Sequence, residues 1–151
     1  MEEIWTKLYA AAKDVQNFRQ ISNYVSCGEV SAAIESSSGN IYTGICVDTA
    51  CSLGLCAERN AIFNMLTNGD NKIKRILAIL PDGKTGAPCG ACRELIAQIM
   101  PDEFENIEIM LDYDTNNIIL FKDLMPYTWL KWFLGISLLS CKYNIWDIEK
   151  N

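Results

Sequence analysis

Apolar residues return at Ile4, Leu8, Ala11, Ala12, Val15 and Phe18, the three-to-four spacing of an amphipathic helix, which predicts a helix over about 3–19. Residues 30–35 and 41–47 then read as two strands. Ser37-Ser38-Gly39-Asn40 between them supplies the turn of a hairpin. A loop over 51–55 leads into a helix over about 56–67, which Asn68-Gly69-Asp70 ends. Six of the eight residues 73–80 are apolar, and the segment reads as a largely buried strand. After a polar loop over 81–86, Pro88 opens a helix that runs to about Met100 and stops at Pro101. Residues 107–111 and 118–121 are two further short strands.

Strands that alternate with helices after a leading hairpin predict an α/β fold, a three-layer α/β/α arrangement around a mixed five-stranded sheet. No repeat, linker or low-complexity segment interrupts it. Residues 1–126 form the main body, and residues 127–151 read as a C-terminal helical extension of the same domain. The extension holds three of the four tryptophans, and its apolar residues are not confined to one stripe. A helix of that kind packs on the core or meets a partner subunit.

Composition narrows the function classes. The chain has 151 residues, enough for one domain with a proper core, and a formal net charge of −6 with no basic block. That balance argues against a nucleic acid polymer as ligand but leaves a single nucleoside open. The apolar run from Trp132 to Cys141 is too short for a bilayer, which needs roughly 20 residues. The acidic start Met1-Glu2-Glu3 carries no signal-peptide pattern, and the seven cysteines are odd in number. A reducing, cytoplasmic compartment is therefore expected, with the cysteines as thiols or ligands. No histidine is present, which removes Ser-His-Asp and Cys-His catalysis.

The candidate chemistry lies in Cys56-Ala57-Glu58-Arg59 and Pro88-Cys89-Gly90-Ala91-Cys92-Arg93. Each set falls at a predicted helix start, and Cys89 and Cys92 share one face of a first turn. Three soft ligands, Cys56, Cys89 and Cys92, leave the fourth corner of a Zn²⁺ tetrahedron open for water. Three thiolates make such a centre anionic, which weakens its pull on that water. Two helix N-termini and the cation Arg59 are expected to offset this. Arg93 is expected to be a solvated surface residue. Glu58 suits proton transfer beside the metal. Two other readings stay open here: a closed all-cysteine structural site with Cys51 or Cys46 as fourth ligand, and a redox Cys-x-x-Cys.

At these residues the chain resembles the zinc-dependent cytidine deaminase family, whose signature pairs His-x-Glu with Pro-Cys-x-x-Cys. Cys56-Ala57-Glu58 stands in the His position, as in the small tetrameric three-cysteine branch. Val30-Ser31-Ala32-Ala33-Ile34, Gly39 to Gly44 and Lys122-Asp123-Leu124-Met125-Pro126 resemble further stretches of that family. The resemblance implies a cytidine deaminase-like fold, a hydrolase of the amidine-deaminating class, a zinc cofactor and a homotetramer. It implies zinc-hydroxide attack on the ring carbon of a cytidine-like or modified aminopyrimidine nucleoside, in pyrimidine salvage, with Glu58 shuttling the proton. The N–H of Cys89 and the carbonyl around Ala57 would hold the base.

The substrate side departs from the family pattern. Its Asn-x-Glu, which binds ribose hydroxyls, is Cys46 and Asp48 here, and a thiol cannot replace an amide's paired donor and acceptor. A Phe near the pyrimidine is replaced by Gly28, which is expected to open space, and Glu29 adds a negative charge beside it. These changes suit a larger or cationic substituent. The blasticidin-S deaminases act on a cytosine nucleoside with a basic tail, and they too carry Tyr-x-Trp after Leu-Leu-Pro. Tyr127-Thr128-Trp129 occupies that place here, which makes Trp129 a candidate substrate contact. The competing readings are a non-catalytic binding protein that keeps zinc as a staple and, against the acidic charge, a polynucleotide-editing deaminase.

Overall fold

The computed structural model of the chain describes residues 2–130. In order, they form α1 (Glu3–Val15), β1 (Arg19–Ser22), β2 (Val25–Ser36), β3 (Ile41–Thr49), α2 (Ala57–Thr67), β4 (Ile73–Ile79), α3 (Gly90–Ile99), a 3₁₀ turn (Phe104–Asn106), β5 (Glu108–Asp112), β6 (Asn117–Leu120) and α4 (Phe121–Leu124). Most of the expected C-terminal helical extension, with Cys141, lies outside the described residues.

The strands make one mixed sheet. β2 is its long central member. β3 pairs along it, β1 meets its first part and β4 its second, all antiparallel. β4 and β5 are parallel, the α3 crossover between them, and β6 closes the edge antiparallel to β5.

Side chains alternate across this sheet, so each strand feeds two cores. Ala33, Leu77, Ile79 and Met110 face α1 and pack on Trp5, Leu8 and Ala12. Ala32, Ile34, Ile76, Ala78 and Ile109 face the other way, onto Ala57, Ala61, Ile62 and Met65 of α2 and Ile96 and Ala97 of α3. This is the expected three-layer α/β/α arrangement. Burying each large side chain contributes about 1.5–3 kcal/mol. Gly44 of β3 lets α2 lie flat on the sheet, because a Cβ there would stand 2.3 Å from the Ala61 nitrogen and 2.5 Å from the Ala57 carbonyl oxygen.

Three boundaries differ from the sequence pattern. The first helix ends at Val15 rather than 19. Gln16 turns extended, and its side-chain amide donates to the carbonyls of Glu29 (2.9 Å) and Leu80 (3.0 Å). Phe18 is consequently exposed instead of lying on the helix's apolar face. The sheet has six strands rather than five, because β1, all four of whose residues are exposed, adds to β2. Finally, β2 begins at Val25, five residues before the strand expected from Val30.

The hairpin turn is tied to the end of α2 by one carboxylate. Asp70 Oδ2 accepts from Ser36 (2.8 Å), Ser38 (2.6 Å), Asn40 (3.1 Å) and Tyr42 (2.8 Å). These donors, Ser38 and Ser36 foremost, hold the Asp70 carboxyl far below the usual carboxylate range. The folded chain therefore takes up this proton later than the unfolded one does. The resulting stability is complete above a pH of about 4 and is lost as the pH falls toward the folded value. Asp70→Asn should melt at a lower temperature than the parent at neutral pH, and the gap should narrow steadily below about pH 4. A gap of the same size in neutral and strongly acidic buffer would remove the carboxylate from this account.

Candidate metal centre and active site

Two helix N-termini meet on the α2/α3 face of the sheet, each with a cysteine as its cap. Cys56 caps α2 and Cys89 caps α3, both with extended backbone and neither spending its side chain on a capping bond. An N-cap is ordinarily Ser, Thr, Asp or Asn, whose oxygen takes a first-turn N–H. Sulfur at that place leaves the first-turn donors and the positive helix end turned toward the thiols. Cys92, one turn into α3, is completely buried beneath them.

Cys89 Sγ lies 3.5 Å from Cys56 Sγ and 3.5 Å from Cys92 Sγ, and all three sulfurs lie within 4.8 Å of one another. Sulfurs about 2.3 Å from a tetrahedral zinc stand about 3.8 Å apart. The donor set fits zinc in number, softness and spacing, so the cluster can hold that ion. Among the described residues, no fourth cysteine joins it. Cys46 Sγ accepts from the Val30 amide (3.2 Å) and contacts Asp48 Oδ2 (3.5 Å), while Cys51 is exposed.

The thiols are electrostatically unequal. Burial pushes Cys56 above the ordinary thiol range. It pushes Cys92 much further, with the Glu58 charge adding to the effect. Burial also opposes ionisation of Cys89, but the N–H groups and thiol around it outweigh that penalty and bring it below the usual value. The bare cluster thus ionises first at Cys89, and a divalent cation is what stabilises all three as thiolates. Arg59 Nη2 donates to the Gly54 carbonyl (3.4 Å) and stands 4.0 Å from Cys56 Sγ. Glu58, in the first turn of α2, is only 6% exposed, and its burial raises its carboxyl above the ordinary glutamate range.

Cys56, Ala57, Glu58, Arg59 and Cys89 line a cavity of about 360 Å³ together with Glu29, Cys46 and Asp48. That volume lies within the range of small-molecule sites. Val30, Gly54, Leu55, Leu80 and Ala87 complete the wall. Of these, Val30 and Leu55 have a signal in the sequence, as neighbours of Glu29 and Cys56. Leu80 and Ala87 come from the β4–α3 connection, and nothing local marks them.

Three expectations change. Trp129 is not among the cavity's lining residues; its indole N–H donates to Glu94 Oε1 (2.6 Å) on the outer side of α3. Gly28 does not open the cavity. Its φ is +81°, and a Cβ would stand 2.0 Å from the Asn17 carbonyl oxygen, so its glycine is required by the backbone bend in β2. Arg93 is half-buried rather than solvated, with Nε on the Pro88 carbonyl (2.8 Å) and Nη1 on the Leu124 carbonyl (3.0 Å).

Residues 6–105 match the family model for the cytidine and deoxycytidylate deaminase zinc-binding region. A cytidine deaminase of Sporosarcina psychrophila is 36% identical over 70 residues, 46% of this chain and 52% of that protein. A blasticidin-S deaminase of Bacillus cereus is 32% identical over 89 residues, 53% of this chain and 64% of that one. Each match therefore spans less than two thirds of the relative. The crystal structure of cytidine deaminase from Mycobacterium leprae superposes with a TM-score of 0.67 at 24% identity, covering 83% of this chain and all of that one, and shares the fold.

Purified protein should carry about one zinc per chain, and chelation should lower its melting temperature. Cys92→Ser should abolish zinc uptake, whereas Cys46→Ser and Cys51→Ser should leave it intact. Loss of zinc from either of the latter two would make the centre a closed four-cysteine site.

Proposed function

The chain belongs to the cytidine and deoxycytidylate deaminase zinc-binding family, and we propose that it removes an amino group hydrolytically from a cytidine-like aminopyrimidine nucleoside. The observation that carries this reading is the pairing of the three-sulfur cluster with a single buried carboxylate, Glu58, in one cavity. A zinc staple needs the sulfurs but has no use for Glu58.

Cys56, Cys89 and Cys92 would hold the zinc. When bound, the ion supplies Lewis acidity that activates water at neutral pH. Glu58 would take up a proton from the attacking water and deliver it to the departing amino nitrogen. Oxygen thus replaces nitrogen on the ring carbon, and ammonia leaves. The Cys89 N–H and the Ala57 carbonyl hold the base in plane, and Arg59 offsets the charge of three thiolates. Leu55, Leu80 and Ala87 give the cavity part of its apolar wall.

The protein works in the cytoplasm on a free nucleoside, in pyrimidine salvage, and residues 127–151 extend its single domain. The net charge of −6 supports a small substrate over a polymer. It assembles as a homotetramer. The exposed apolar side chains of Phe18, Ile21, Tyr24 and Leu53 support burial against another copy.

With a panel of aminopyrimidine nucleosides, ammonia release should follow zinc loading. Glu58→Ala should cut it by about 10²–10⁴-fold while zinc content stays constant. A fully zinc-loaded protein that leaves every aminopyrimidine and aminopurine nucleoside untouched would favour the staple.

A second reading has its own observation. Glu29 and Asp48 both belong to the cavity wall, and Arg59 is the one cation among its lining residues. An anionic rim favours a cytosine nucleoside bearing a basic substituent, the blasticidin-S type, over plain cytidine. The double variant Glu29→Gln/Asp48→Asn should lower the ratio of kcat/KM for cationic over neutral nucleosides by roughly two- to fivefold per charge, and added salt should lower it in the parent. An unchanged ratio would assign these carboxylates to another task.

A further inference from the structure

Cys89 is the ligand with the least support of its own. It is exposed, it stands at the N-cap of α3 where only its carbonyl joins the helix, and its sulfur still stands 3.5 Å from both other sulfurs. Cys92 is fixed by the helix and by burial, and Cys56, the cap of α2, is half-buried.

The chain just before Cys89 shows what holds it. The Pro88 ring locks φ, so ψ of Pro88 is the only soft backbone rotation left in that residue. The peptide unit is planar, and the Pro88 carbonyl oxygen therefore reports the orientation of the plane that carries the Cys89 nitrogen and Cα. Arg93 Nε donates to that oxygen at 2.8 Å. The Arg93 backbone N–H donates to the next carbonyl, that of Cys89, at 2.9 Å. The plane after Cys89 is thus held by the first helical bond of α3, and the plane before it by the Arg93 side chain.

The guanidinium is itself held from behind. Its Nη1 donates to the Leu124 carbonyl at 3.0 Å, at the end of α4, whose first residue, Phe121, is fully buried and packs edge-on against Phe104. The fork therefore spans two fixed carbonyls in two directions, a geometry a lysine ammonium on a flexible stem cannot reproduce.

We infer that Arg93 is a positioning residue of the metal centre: it bolts the Pro88–Cys89 peptide to the C-terminal end of α4 and so sets the third sulfur at ligand distance. This rests on the zinc reading above. Arg93 is not among the cavity's lining residues, and its side-chain bonds go to the Pro88 and Leu124 carbonyls, so its effect passes through Cys89.

Arg93→Lys and Arg93→Met should bind zinc roughly 10- to 100-fold more weakly in competition with a chromophoric chelator, the usual scale for a group that orients a metal ligand. Their cobalt(II)-loaded forms should show an altered visible ligand-field spectrum, a signature that a merely stabilising contact would not move. Millimolar guanidinium should restore part of the affinity of Arg93→Met. Glu94→Ala removes the acceptor of the neighbouring Trp129 N–H but leaves Pro88 alone, and it should match the parent in affinity and spectrum. Parent-like affinity and cobalt spectrum in both folded Arg93 variants would overturn the inference while the zinc site stands. So would variants that fail to fold even with zinc present, since Arg93 would then be a general structural contact. A parent chain that takes up no zinc would overturn the site reading and the clamp with it.

Discussion

Three sulfurs within 4.8 Å and a buried carboxylate beside them form an arrangement that opposes its own charge. Each thiolate raises the cost of the next, and burial raises it for Cys56 and Cys92. Much of the α2/α3 half of the molecule follows from making that arrangement tolerable. Two helix N-termini bring their positive ends to it, Arg59 lies against Cys56, and a divalent cation completes the balance.

Bringing two helix starts to one point constrains the sheet beneath. α2 and α3 must lie on the same face, which the β3–α2–β4–α3–β5 order provides. α2 must also lie close to the strands, and Gly44 supplies the clearance where its backbone meets Ala57 and Ala61. On the far side of the cavity, β2 bends at Gly28, against Asn17, before it presents Glu29 and Val30 to the wall. Both glycines are thus set by backbone contacts, and neither is a vacancy in the cavity.

What could be read from the sequence follows how local each feature is. The helix starts at Ala57 and Gly90, the hairpin turn and the central strands are marked by residues next to each other in the chain, and the alternation of Ala32/Ala33/Ile34 and Ile76/Leu77/Ala78/Ile79 declares two buried faces. The sulfur cluster was legible for the same reason, since each cysteine sits at its own helix start. The misses are non-local. β1 is wholly exposed, so no alternation betrays it. The end of α1 depends on Gln16 reaching Glu29 and Leu80 across the sheet. Arg93 looks like any surface arginine until Leu124, thirty-one positions later, is placed beside it.

The same distinction separates the chemistry from its selectivity. The groups that would hold a metal and move a proton are carried within one turn of two helix starts, where local backbone geometry brings them together and Arg93 ties the Pro88–Cys89 peptide to the end of α4. The groups that would recognise a substrate sit on strand edges and connections, at Glu29, Cys46, Asp48, Leu80 and Ala87, each free to change without disturbing a helix cap. Cys46 shows the consequence. Its sulfur is engaged by the Val30 amide and by Asp48, inside the protein's own hydrogen bonding, so its capacity to read a ligand's polar edge is already spent. The rim itself presents two exposed carboxylates, Glu29 and Asp48.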